Sequence, residues 1–216
     1  MLKEVIINNY RAIDREYILQ IIISFLLFIV SLFFNYYLSI FATKSASNPL
    51  TDVILSNIPV YDVTLFFVYG PLIMWIFFFI LCLVDPKRIS FSLKTISLFI
   101  IIRAIFSVIT HLAPFPDQIV IDSSFHLSSL FSSGGSLFFS GHTGTAYLLA
   151  LIFWEDKIVR YIMLTVSVFF ACIVLLGHLH YSIDVLGAYF ITYAIYALAK
   201  FLFERDRRYF ISVHSH

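Results

Sequence analysis

Charged side chains are scarce in this chain. Asp, Glu, Lys and Arg make up 12% of its 216 residues, and the formal net charge is +1. No basic patch interrupts the sequence, which excludes a nucleic-acid-binding role. Cysteine is scarce too. Cys82 and Cys172 each sit inside an apolar run, so they read as small packing residues and not as a disulfide or metal pair. No metal-ligand spacing is present, so neither a metal nor another cofactor is expected. The first apolar run ends on no small-residue cleavage site and does not read as a signal peptide.

What the chain has in quantity is apolar surface. Hydrophobic residues make up 61% of it, 25 residues are Phe, and the mean hydropathy is +0.95. Soluble domains do not reach that value. The fold class expected is all-α: a polytopic integral membrane protein with one catalytic domain. Residues 1–16 form a polar arm, 17–203 the membrane domain and 204–216 a charged tail.

Six spans are expected: Tyr17 to about Ala42, Val63 to Val84, Phe91 to about Leu112, His142 to about Trp154, Ile158 to Leu176, and His180 to about Phe203. The first is long enough to cross about 30 Å of hydrocarbon with some tilt. The fourth is short unless Ser140 caps it. Pro71 predicts a kink in the second. Arg103 lies well inside the third. An arginine at that depth faces a cavity or a partner, or else snorkels to an interface. The long loop from Ala113 to Phe139 turns rich in Ser and Gly, and an amphipathic surface piece is expected around Phe125 to Phe131.

Twelve Lys and Arg residues fall on one side of such a six-span chain, against Lys44 alone on the other. The positive side is cytoplasmic, so both termini are expected there. The loops carrying Asp52, Asp117, His142, His180 and Asp184 then face the non-cytoplasmic side.

Two polar islands border these apolar runs: Ser140-Gly141-His142-Thr143 and His178-Leu179-His180-Tyr181-Ser182-Ile183-Asp184. A single histidine in an apolar protein is usually a satisfied packing residue. Here one helical hairpin separates the islands, so both come to the same depth and the same side. His180 and Asp184 are four apart. If they open a helix they share a face, and the carboxylate can fix the imidazole tautomer so that its other nitrogen is a nucleophile. His142 would be the second proton carrier.

These two islands resemble the sphingomyelin synthase branch of the type 2 phosphatidic acid phosphatase superfamily. The superfamily carries Lys-x6-Arg-Pro, then Ser-Gly-His, then Ser-Arg-x5-His-x3-Asp. Here the first motif is absent, and Val174 stands where the arginine before His180 is expected. The branch also lacks those basic residues and has His-x-His-Tyr-Thr-x-Asp, to which His178 through Asp184 is similar. Asn48-Pro49-Leu50-Thr51-Asp52 looks like the branch's Pro-Pro-Leu-Pro-Asp, with Asn48 and Thr51 in place of prolines. Arg103 through Thr110, with Pro114 and Pro116, looks like its third span, with His111 and Ala113 as departures. The resemblance covers roughly residues 17–203.

The resemblance implies transfer of a phospho-head group, such as phosphocholine or phosphoethanolamine, from a phospholipid donor to a lipid alcohol such as ceramide. His180 is then the nucleophile, His142 the acid and base, and Asp184 the residue orienting His180. Arg103, Ser140, Gly141 and Tyr181 are candidate substrate contacts. For Ser140 and Gly141 the alternative is a simple helix cap, and His178 reads as a neighbour. A phosphatase or phospholipase C-like hydrolase on the same scaffold, and a non-catalytic membrane protein, are the competing readings.

Overall fold

The computed structural model describes residues 9–10, 13–119, 121 and 138–211. Its helices are α1 (Arg15–Lys44), α2 (Thr64–Val84), α3 (Ile89–Thr110), α4 (Gly141–Ile152), α5 (Lys157–Leu176), α6 (Ser182–Leu202) and α7 (Glu204–Ile211). Short 3-10 turns sit at Leu55–Asn57 and Pro86–Arg88. The surface piece expected around Phe125 to Phe131 lies outside the described residues.

Helix starts follow local chemistry. Asp14 accepts the Tyr17 N–H at 2.7 Å at the head of α1, and Asp156 accepts the Val159 N–H at 3.2 Å at the head of α5. Helix α2 runs from Thr64 to Val84 with Pro71 inside it.

Contacts between loops define two ends of the bundle. At the upper end, Ser47 N–H donates to the His111 carbonyl, Tyr61 N–H to Leu176 and Ile119 N–H to Gly177. At the lower end, the Tyr17 hydroxyl donates to the Lys87 carbonyl at 2.6 Å, Arg88 meets Asp156 at 3.6 Å and Lys94 meets Asp206 at 2.7 Å. Helices α1 to α6 therefore run alternately up and down. The two described chain ends lie together: the Tyr17 and Tyr209 rings are 4.6 Å apart, and Arg205 pairs with Glu16.

Among the described helices, α1, α2, α3, α5 and α6 are long and apolar enough to cross a membrane. Helix α4, with 12 residues, is only about 18 Å long and does not meet that length. It survives because it is central. Ala146, Leu148, Leu149 and Ala150 are buried, and α5 and α6 pack along it.

Helix α1 packs most extensively on α3. Its buried stripe is small and polar: Ser24, Ser31, Asn35, Ser39 and Ala42. Small side chains let helix backbones approach where lipid supplies no hydrophobic force. Their hydroxyls are satisfied within the helix, as Ser24 donates to the Ile21 carbonyl and Ser31 to Phe28, both at 2.7 Å. The opposite face, including Leu26, Val30 and Phe33, is exposed.

The charged tail is more than a tail. Residues Glu204–Ile211 form α7, which buries Asp206 and Phe210, four apart on one face. Asp206 accepts from Ser90 at 2.5 Å and from Lys94 at 2.7 Å, and Lys94 also donates to Gln20 at 2.7 Å. A tail helix is thus tied to α3 and α1 by buried polar groups.

Candidate active site

The connection from α5 to α6 builds the first half of the site. Gly177 N–H donates to the Ile173 carbonyl, closing α5. His178 follows in the left-handed region, at φ 53°, which reverses the chain within one residue. Leu179 N–H and His180 N–H both reach the Val174 carbonyl, at 2.8 and 3.4 Å. Helix α6 begins only at Ser182. His180 therefore sits just before the helix and not within its first turn, two residues short of the expected start. Tyr181 is the N-cap in extended conformation, and its N–H donates to Asp184 Oδ2 at 3.1 Å. That bond folds Asp184 back over the helix start, where its Oδ2 lies 3.6 Å from His180 Nδ1. The pair meets at ion-pair distance through a cap, not through a shared helical face. Both side chains are buried, Asp184 completely.

The start of α4 builds the second half. Phe139 is left-handed at φ 35° and fully buried, with its ring packed on Phe99 and Phe106. A bulky residue in that region stores strain, which its buried ring offsets. Its carbonyl accepts from Arg103 Nε at 3.2 Å. Ser140 N–H then donates to the Asp184 backbone carbonyl at 3.1 Å, splicing the start of α4 onto the first turn of α6. The Ser140 hydroxyl accepts the Thr143 N–H at 3.4 Å, the cap expected of it. Gly141 lies against Arg103. A Cβ there would be 3.1 Å from Nε and 3.2 Å from Cζ, so any other residue asks the guanidinium to give by a few tenths of an ångström. Arg103 is buried and turned inward; it does not snorkel.

His142 projects from the first turn of α4. Its Nε2 is 3.2 Å from the Phe67 carbonyl of α2, the Phe67 ring lies over it at 4.0 Å, and Phe170 meets it edge-on at 5.6 Å. His142 is within electrostatic reach of both His180 and Arg103, and Arg103 of Asp184. A small open cleft leads to Arg103, Gly141 and His142, while His180 and Asp184 are not among its lining residues. Leu32, Asn35, Trp75 and Ile96 wall it, while Arg103, Gly141 and His142 lie at its polar part.

The remaining sequence candidates separate. The Tyr181 hydroxyl is engaged by loops, donating to the Ala113 carbonyl at 3.0 Å and accepting from the Leu50 N–H at 3.1 Å. His178 is buried beside Phe115, ring centroids 5.2 Å apart. One residue stands out that was singled out only as part of a loop motif. Asp52 accepts from Ile54 N–H (2.8 Å), Leu55 N–H (3.1 Å), Ser182 N–H (2.7 Å) and the Ser182 hydroxyl (2.8 Å). Burial pushes its carboxyl up, but the hydrogen bonds from Ser182, Leu55 and Ile54 outweigh that and hold it below the ordinary carboxylate value. Asp52 thereby clamps the first upper loop to the head of α6. Its spacing to Ile54 and Leu55 is a legible turn signal; its partner 130 residues away is not.

One imidazole and a buried arginine at the end of a cleft, with a second imidazole backed by a carboxylate buried behind them, are groups able to do acid–base and nucleophilic work on a phosphate. Residues 134–201 match the family model described as PAP2 superfamily C-terminal. A phosphatidic-acid-phosphatase-like domain is therefore present, and the matched stretch contains Ser140, Gly141, His142, His180 and Asp184. The match does not narrow to any one branch of that superfamily, and it leaves Asp52 and Arg103 outside. No curated protein and no solved structure matches the chain.

Proposed function

We propose that this protein is a membrane lipid phosphotransferase, moving a phospho-head group from a phospholipid to ceramide or a similar lipid alcohol. The observation that carries the reading is the Ser140–Asp184 backbone bond. It sets the two polar islands side by side, with Arg103 behind Gly141.

In this reading His180 Nε2 attacks phosphorus, because Nδ1 faces Asp184. The bond from phosphorus to the diacylglycerol oxygen breaks, and His142 gives that oxygen a proton. The head group is then held on His180 as a phosphohistidine. His142 next takes the proton of the acceptor hydroxyl, whose oxygen attacks phosphorus and releases His180. Asp184 favours the charged ring in both steps. Arg103 faces the phosphoryl oxygens, where charge develops. Chain ends on the cytoplasmic side, six crossings and a site facing outward complete the proposal.

A hydrolase that uses water as second acceptor shares every one of these groups. A diester donor is favoured here because the site has one buried arginine, Arg103, and lacks the additional basic motif residues that suit a doubly charged monoester. Purified protein with phosphatidylcholine and labelled ceramide separates the readings by chromatography of the products. Labelled ceramide carrying the head group supports transfer. Free head group with unmodified ceramide sinks transfer in favour of hydrolysis.

A further inference from the structure

Proline has no N–H and its ring crowds the carbonyl four residues earlier, so that carbonyl is released from the helix ladder and tilted outward. In α2 the proline is Pro71, and the released carbonyl is that of Phe67. This is the oxygen that lies 3.2 Å from His142 Nε2. A carbonyl oxygen only accepts, so the hydrogen is on Nε2. The neutral ring then takes up and gives back its proton at Nδ1.

A second feature of the same turn points the same way. A Cβ on Gly70 would come within 2.7 Å of the Phe170 ring. Phe170 is the ring that meets His142 edge-on, while the Phe67 ring covers its face. Gly70 and Pro71 together thus make the seat of His142: the first admits one wall, and the second frees the hydrogen-bond acceptor.

We infer that Pro71 is a positioning residue that fixes His142 as its Nε2–H tautomer through the Phe67 carbonyl. Asp184 would orient His180 through a side chain, and Phe67 would orient His142 through a backbone oxygen that a proline has set free. The catalytic meaning of the tautomer rests on the function proposed above; the tautomer itself does not.

The test is nitrogen NMR of the full chain in bilayers, with ¹⁵N-labelled histidine, at a pH where the rings are neutral. The His142 signals are identified by their loss in His142→Gln. Wild type should carry hydrogen on Nε2 alone. In Pro71→Ala and Pro71→Leu the restored N–H competes for the Phe67 carbonyl, so an Nδ1–H population should grow. In the transfer assay the same variants should lose roughly tenfold in kcat with KM unchanged, part of what a positioned acid–base group supplies. A wild-type ring protonated on Nδ1, or a tautomer unmoved in both Pro71 variants, overturns the inference whatever the activity. If the tautomer shifts as expected while His142→Gln keeps full activity, the positioning stands and the proposed function falls.

Discussion

Removing the Asp52 carboxylate should loosen the head of α6 without touching the residues proposed to react. Two of its four hydrogen bonds stay within its own loop, and two cross to Ser182, at 2.7 and 2.8 Å. Hydrogen bonds to a charged acceptor contribute about 1.5–3 kcal/mol each. Water replaces part of this at a loop, so Asp52→Ala should cost about 3 kcal/mol. Unfolding in detergent can be followed with a thiol-reactive dye, since Cys82 is buried and Cys172 exposed; a Cys172→Ser background leaves Cys82 as the reporter. Asp52→Asn, which keeps one carbonyl oxygen, should lose about half as much. The pH dependence follows from the depressed carboxyl. A group whose folded value lies below its unfolded one stabilises the protein above the unfolded value, 3.8. That contribution is lost as pH falls through the folded value. Wild type should therefore lose stability more steeply than Asp52→Asn below about pH 4. A cost under about 0.5 kcal/mol for Asp52→Ala, with superimposable acid limbs, would refute the clamp.

Other expectations concern the lower end, the arginine and the covalent step. Lys94→Met leaves Asp206 buried without its cation and should destabilise by about 3–5 kcal/mol, while Lys94→Met with Asp206→Leu should recover most of it; thermal unfolding of the three proteins decides. Gly141→Ala, which asks the Arg103 guanidinium to give by a few tenths of an ångström, should cost less than Arg103→Gln, which should cut kcat/KM by about tenfold or more, the loss of one charge-assisted contact. Unchanged kinetics in Arg103→Gln would remove Arg103 from the site. With a nitrophenol-bearing donor, whose leaving group needs no proton, His142→Ala should give a burst of nitrophenol and His180→Ala none. A burst surviving in His180→Ala would exclude it as the nucleophile. Single cysteines at Ser45 and Glu155, at opposite ends of the bundle, should be labelled from opposite sides of a sealed membrane; labelling of both from one side would contradict the crossing pattern.

What could be read from the chain depended on how far each interaction reaches. Membrane-length apolar runs report themselves, and the two polar islands stood out against them. The His180–Asp184 spacing also proved informative, although the route differs. The sequence suggests a shared helical face, whereas Asp184 reaches His180 by capping Tyr181 at a helix that starts two residues later. The burial of α7 was not legible, because Asp206 meets Lys94 across 112 positions. Asp52 and Ser182 are separated by 130. In each case one partner is visible and the other carries no local mark.

The seat of the site was hidden for a different reason. Three backbone carbonyls arrange it: Phe67 toward His142, Phe139 toward Arg103 and Asp184 toward Ser140. Every residue has a carbonyl, so residue identity at those positions says nothing about the role. Sequence marks such a group only where something nearby forces the oxygen out of its ladder. Phe139 and Asp184 have no such neighbour to betray them. Phe67 has Pro71, which from sequence alone predicts a kink. The same physical fact, a missing N–H four residues on, predicts an acceptor in search of a donor. In a membrane lipid offers no such donor, so it comes from a neighbouring protein group or from water in a cavity. A proline in a span that crosses beside a histidine-bearing helix is therefore a sign of where an imidazole is held, and His142 is the donor within reach.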